Sequence, residues 1–273
     1  MTELTGPLLL VGGGKMGGAM LRGWLRAGLA PGDAVVVEPN RAALAAEAQQ
    51  GIAVHETPDS IPAGFGPRVV VLAVKPQMMA GALPAYRRFA VPGTLFLSVA
   101  AGKTLGYFER GLGDRIAIVR SMPNTPAAVG RGITVCCANA RCNANDRDLA
   151  TALLSAVGEV HWVDDERLID AVTAVSGGGP AYVFLLIECL AKAGEASGLP
   201  ADLAMRLARV TVSGSGELAR LSDEPASTLR QNVTSPNGTT LEALKILMAD
   251  DALQPLLTRA IAAATRRSRE LAD

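Results

Sequence analysis

Apolar residues follow two different patterns along this chain, and the change falls near residue 164. Before it, short continuous apolar runs alternate with turn residues: LLLV at 8–11, AVVVEPN at 34–40, RVVVLAVKP at 68–76, TLFLSVAAG at 94–102 and RIAIVRSMPNTP at 115–126. GITVCCA and EVHWV follow, the second ending near Val163. Continuous runs, rather than strict alternation, indicate strands buried on both faces of a parallel sheet. After Asp164 no strand signal remains. DERLIDAVTAVS, AYVFLLIECLAKAGEASG, LPADLAMRLARVTVSGSGELARL, LEALKILM and DALQPLLTRAIAAATRRSRELA all read as helices. The expectation is an α/β chain: an N-terminal Rossmann-type parallel-sheet domain over 1–164, then an all-α domain over 165–273. AYVFLLIECLA is apolar around most of its circumference, as a central buried helix would be. Gly214 and Gly216 weaken the long helix around them, which suggests close helix–helix approach. Helices this apolar in a small domain bury themselves well against a second copy, so a homodimer is expected.

The first strand runs directly into Gly12-x-Gly14-x-x-Gly17 and a helix, the context in which a glycine triplet reads as a dinucleotide fingerprint. Gly12 allows the tight turn, Gly14 lets backbone approach a pyrophosphate, and Gly17 allows helix to pack on strand. Glu38 ends the second strand at about the spacing of a ribose-binding acid, which favours NAD. Asn40 and Arg41 stand beside it and could instead hold a 2′-phosphate; equally, Arg41 could be a solvated first-turn residue. Ligands of doubly wound sheets bind at the carboxyl edge of the strands. Ala73, Val74, Lys75 and Pro76, Ala100, Ala101 and Gly102, and Met122, Pro123 and Asn124 fall there and are expected to line one crevice.

A second glycine-bearing loop, QNVTSPNGTT at 231–240, precedes the helical pattern LEALKILM. Pro236 biases Ser235 away from helix, and Asn237-Gly238 is a turn signal. One hydroxyl suffices for a helix cap, whereas Thr234, Ser235, Thr239 and Thr240 cluster here. The loop therefore reads either as an overbuilt N-cap or as a carboxylate site made of backbone N–H groups and hydroxyls. No His, Asp, Cys or Tyr stands near it as an obvious proton donor. Carbonyl reduction calls for a positioned acid; an imine can arrive already protonated, so a hydroxyl-rich loop suits imine reduction.

Composition narrows the partners. The chain has 273 residues, 26 basic and 26 acidic, and 49% hydrophobic residues. That is a globular composition, and without a basic block nucleic acid is not an expected partner. The cluster Arg266, Arg267 and Arg269 ends a helix, where it complements the dipole. Cys136, Cys137, Cys142 and Cys189 form no C-x-x-C pair, and His55 and His161 lie far from them in sequence, so no metal is expected. Glu3 and a very short apolar run argue against a signal peptide. AYVFLLIECLA, interrupted by Glu188, reads as too short to span a bilayer. A cytoplasmic protein without a membrane partner is expected.

Six motifs together resemble the pyrroline-5-carboxylate reductase family: VGGGKMG, LAVKP, SVAAG, RSMPNTP, DAVTAVSGGGPAY and VTSPNGTT, in order along nearly the whole chain. The resemblance implies a Rossmann domain with a helical dimerisation domain. It implies hydride transfer from NADPH, or NADH, to the C=N bond of 1-pyrroline-5-carboxylate, giving L-proline. It places Gly12, Lys15, Met16 and Gly17 at the pyrophosphate. Ala73, Lys75 and Pro76 fall in the cofactor crevice, and Ala100, Ala101 and Gly102 near the nicotinamide. Ser235, Gly238, Thr239 and Thr240 hold the substrate, its carboxylate on the loop and Thr240, as the catalytic residue, near the ring nitrogen. It implies a site at a dimer interface and, in some members, a ring of dimers.

Two positions depart from the family pattern: Gly178 replaces the second serine of SGSGPAY, and Asn237 the first glycine of SPGGTT. Asn tolerates positive φ, so the loop shape is expected to survive. The rival reading is a related Rossmann reductase of another small imino or keto acid, such as a β-hydroxyacid dehydrogenase, a class that carries a catalytic lysine on its first large interdomain helix. Only Lys192 stands there, and CLAKAGE does not match. A non-catalytic NADPH sensor would be supported by Gly178.

Overall fold

In a computed structural model, residues 6–272 are described; residues 1–5, on which the reading of a missing leader rests, lie outside them. The chain forms two compact units: one runs to Gly177 and takes up the residues from Ala264 on, the other is Gly178–Ala263. The first contains β1 (Leu8–Val11), α1 (Lys15–Arg26), β2 (Ala34–Val37), α2 (Ala45–Gln49), β3 (Ala53–His55), β4 (Val69–Leu72) and α3 (Met79–Ala82). β5 (Leu95–Ser98), α4 (Leu105–Leu112), β6 (Ala117–Met122), β7 (Gly132–Ala138), α5 (Ala144–Ser155), β8 (Gly158–Trp162) and α6 (Leu168–Val172) complete its sequence-local part.

Among the described residues, eight strands form one sheet in the order β3-β2-β1-β4-β5-β6-β7-β8. All pairings are parallel except β6 with β7. The first six strands have the doubly wound order whose crevice opens where the order reverses, between β1 and β4. The expected double burial holds in β1, β2, β4 and β5, each buried along its whole length. One sheet face packs Leu8, Leu10, Val36 and Val71 with Met20 and Trp24 of α1 and Leu153 of α5. Trp24 Nε1 also donates to the Leu153 carbonyl at 2.8 Å, so the largest side chain of that layer leaves no polar atom unsatisfied. The other face packs Leu9, Val70 and Phe96 with Tyr86, Phe108 and Ile169. Cys136 and Cys137 lie buried in β7. Burial pushes the Cys136 thiol up to about 12, which keeps it protonated and unreactive at neutral pH.

The change of pattern read at 164/165 precedes α6, yet α6 belongs to the first compact unit. Its Ile169 is in the sheet's core. Its Asp170 accepts a buried 2.7 Å hydrogen bond from Ser268 Oγ, at the end of the chain's last helix. Ahead of α6, Glu166 Oε1 accepts from buried Arg120 Nη1 at 2.7 Å and from the Leu105 N–H at 2.8 Å. Arg120 Nη2 is buried without a hydrogen-bond partner among the described residues. Removing Glu166 would leave a guanidinium uncompensated inside the unit.

The second unit holds α7 (Gly179–Ala196), α8 (Ala201–Leu221), α9 (Ala226–Asn232), α10 (Thr239–Leu247) and most of α11 (Leu253–Glu270). Two expectations are corrected here. Helix α7 is not a central buried helix of this chain: only Ala191 on it is buried, while Phe184 is 59% and Leu185 56% exposed. The close helix approach is made by Gly194, where a Cβ would lie 3.2 Å from Ala204 Cβ, and a Cβ on Gly214 or Gly216 would meet nothing within 4 Å. The length argument against a membrane span is also revised. DERLIDAVTAVS and AYVFLLIECLAKAGEASG read as separate helices, but a π turn, Thr173–Gly177, links them, so Leu168–Ala196 forms a 29-residue segment apolar enough to cross a bilayer.

Candidate functional site

The glycine loop stands at the carboxyl edge of β1. Gly12 turns with φ +95, a value at which any Cβ is strained, and its N–H donates to the Val37 carbonyl at 2.8 Å. Gly17 lies so close beneath it that a Cβ there would sit 2.0 Å from the Gly12 oxygen. Gly14 is the N-cap of α1, and no side chain caps it. The first bond back to the cap is the Gly18 N–H to the Gly14 carbonyl at 2.7 Å, so the N–H groups of Lys15 and Met16 point out of the helix end. A Cβ on Gly14 would meet nothing within 4 Å. An uncapped twelve-residue helix with open space above its N-cap suits a pyrophosphate, so these residues fit a dinucleotide. Met16 turns its side chain to the core, leaving its backbone as the polar face.

The neighbouring strand ends bring the other expected cofactor residues alongside. The Ala73 N–H donates to the Val11 carbonyl at 2.8 Å, which sets Ala73 and Val74 beside Gly12. Lys75 is exposed and Pro76 opens a short 3-10 turn. Ala100 is buried in the core and Ala101 half-buried. Gly102 turns with φ +75, and a Cβ on it would lie 3.1 Å from the Leu271 carbonyl oxygen, so the end of the chain backs this loop. Asn124 binds the Ile133 N–H through Oδ1 and donates from Nδ2 to the Ser176 carbonyl, tying the β6 end to the π turn. At the β2 end, Glu38 accepts from Gly13 and Asn40 N–H groups at 2.8 and 2.9 Å. Arg41 is exposed, its nearest acid Glu56 at 4.0 Å.

The 231–240 loop belongs to the second unit. Pro236 and Asn237 occupy its turn, Asn237 with φ +58, and the Gly238 N–H donates to the Ser235 carbonyl at 3.1 Å. Asn therefore does adopt the left-handed conformation expected of it. Helix α10 begins at Thr239, its N-cap is Gly238, and no side chain caps it. The cap reading of the hydroxyls thus finds no hydrogen bond to carry it. Thr234 Oγ1 donates back to the Arg230 carbonyl. Ser235, Thr239 and Thr240 make no side-chain hydrogen bond among the described residues, and all three are exposed. Gly178 N-caps α7 without a side-chain bond, and Lys192 is exposed on that helix.

Two family descriptions match the chain: pyrroline-5-carboxylate reductase dimerisation over residues 166–271, and NADP oxidoreductase, coenzyme F420-dependent, over residues 8–102. The pyrroline-5-carboxylate reductase of Pseudomonas aeruginosa is 39% identical, with 97% of each chain covered. The chain belongs to the pyrroline-5-carboxylate reductase family. The reductase of Synechocystis is 40% identical over 96% of this chain and 97% of its own. A solved reductase from Coxiella burnetii superposes with a TM-score of 0.91 at 34% identity, covering 98% and 99% of the two chains. The Plasmodium falciparum reductase, solved with NADP bound, superposes at 0.82 with 28% identity and full coverage of both. The segment matched as the family's dimerisation region contains the exposed apolar helices α7 and α8.

Proposed function

We propose that the protein reduces the C=N bond of 1-pyrroline-5-carboxylate to L-proline, using NADPH and accepting NADH less readily. The observation that carries this reading beyond family membership is the 235–240 loop: an uncapped helix start whose three hydroxyls make no hydrogen bond among the described residues. A carboxylate suits that arrangement, because backbone N–H groups and hydroxyls satisfy it without a cation. The bound dinucleotide supplies the hydride. Ser235, Gly238 and Thr239 hold the substrate carboxylate, and the Thr240 hydroxyl faces the ring nitrogen. Gly12, Gly14, Lys15, Met16 and Gly17 hold the pyrophosphate, with Ala73 to Pro76 and Ala100 to Gly102 along the crevice. Initial rates with synthetic substrate and NADPH or NADH in parallel test the reading. Proline formed one-for-one with oxidised cofactor supports it; cofactor binding without turnover would favour a sensor.

Arg41 reads the adenosine 2′-phosphate in this proposal. Arg41→Ala is expected to raise the KM for NADPH about tenfold, the loss of one charge-assisted hydrogen bond, and to leave NADH unaffected. Equal effects on both cofactors would remove Arg41 from that role.

We assign residues 165–273 as the dimerisation and substrate-binding domain, and the assembly as a homodimer or a ring of dimers. Val183, Phe184, Leu185, Leu186 and Leu190 leave one helix apolar and exposed, and exposed apolar surface of this kind marks an interface. Sedimentation at low concentration is expected to show dimer or a multiple of it; a clean, active monomer would end this assignment.

A further inference from the structure

The acid at the end of the second strand of a dinucleotide-binding sheet ordinarily accepts from ribose hydroxyls. Here the Glu38 carboxylate is bound by the backbone of two loops. Its Oε2 accepts from the Gly13 N–H at 2.8 Å, inside the glycine loop, and its Oε1 from the Asn40 N–H at 2.9 Å, in the turn that follows β2. The backbone around it is held as well: the Glu38 N–H donates to the His55 carbonyl, and the Gly12 N–H to the Val37 carbonyl, both at 2.8 Å. A Cβ on Gly13 would fall 3.3 Å from Glu38 Cβ and 2.4 Å from Leu44, so the loop lies directly on the glutamate. Two segments 25 residues apart thus share one carboxylate.

We propose that Glu38 is a positioning residue: it clamps the glycine loop to the Asn40–Arg41 turn, so that a residue whose type favours NAD is compatible with an NADP site. This rests on the dinucleotide reading of the loop. A carboxylate aimed at the 2′ position would repel a phosphate there. Bonded to the Gly13 and Asn40 N–H groups, each carboxylate oxygen accepts one backbone bond, which fixes the residue immediately before Arg41. Both cofactors need the glycine loop, so loss of the clamp weakens both; a ribose acceptor would matter chiefly to NAD.

The test uses the intact protein without substrate. Dissociation constants for NADP+ and NAD+ are measured by titration for the wild type, Glu38→Ala and Glu38→Gln. Amide exchange at Gly13 and Asn40 is followed by NMR without cofactor. Expected for Glu38→Ala is at least a tenfold loss of exchange protection at Gly13, with lower protection at Asn40. NADP+ and NAD+ should both bind about tenfold more weakly, within about threefold of each other. Glu38→Gln, whose amide oxygen can accept only one of the two bonds, should fall between. Unchanged protection at both amides overturns the clamp. So does a variant that loses NAD+ while holding or gaining NADP+, which would make Glu38 the ribose acceptor. Because wild-type binding and exchange require no turnover, failure of the clamp is distinguishable from failure of the proposed reaction.

Discussion

Gly17→Ala is expected to cost the protein most of its NADPH affinity, and Gly14→Ala to do so by a different route. A Cβ on Gly17 would sit 2.0 Å from the Gly12 oxygen and 3.2 Å from Ala73 Cβ. Gly12 cannot retreat easily, because its N–H is bonded to β2 and its φ of +95 defines the turn. Helix α1 must therefore lift from β1, which disturbs the layer built on Met20 and Trp24. Overpacking of this kind costs about 1–3 kcal/mol, and the helix end moves away from the phosphates it serves. At Gly14 the backbone has φ −64, and the added methyl meets no protein atom. Its methyl would enter only the space assigned to the pyrophosphate. Titration with NADP+ and thermal unfolding separate the two: both variants should bind at least about tenfold more weakly, and Gly17→Ala alone should lower Tm. Wild-type affinity in Gly14→Ala would take the pyrophosphate off this helix end.

Thr240→Val is expected to lower turnover roughly 5- to 150-fold, the equivalent of one hydrogen bond of about 1–3 kcal/mol made in the transition state. The substitution keeps shape and removes the hydroxyl. Thr240→Ser should retain most activity. Since Gly238 is the N-cap and no hydroxyl bonds the helix end, neither Thr239→Val nor Thr240→Val should lose the stability of a missing cap, about 1 kcal/mol. Affinity for NADP+ should be unchanged in both. Turnover per folded protein equal to wild type in Thr240→Val would remove the hydroxyl from the chemistry.

The sheet was legible because its signals are local. Four-residue apolar runs with glycine or proline at their ends give β1, β4 and β5 and their edge without knowledge of any distant residue. β3 escaped notice: it has three residues, none of them buried, so it carries no such run. The π turn at 173–177 hides behind glycines that would ordinarily end a helix. Helix α7 looked central because its composition reports that it is covered, not by what. The Ser268–Asp170 bond joins residues 98 apart, and no spacing rule reaches that far. The 231–240 loop shows the reverse case. Its turn was readable from Pro236 and Asn237, while the partners of its hydroxyls were not, since capping and ligand binding ask for the same residue types. Glu38 was placed correctly at the end of β2, but the direction of its carboxylate depends on the Gly13 N–H, a contact the fingerprint leaves undefined.

The central claim is that hydride passes from the nicotinamide to the imine carbon of 1-pyrroline-5-carboxylate. The most direct measurement uses NADPH carrying deuterium at nicotinamide C4, in each of its two epimers, with the intact protein and unlabelled substrate. Mass spectrometry and NMR of the product then locate the label. Proline bearing a single deuterium on its δ carbon, from one epimer and not the other, is the expected result. Oxidised cofactor without labelled proline, or proline with no deuterium from either epimer, would contradict it.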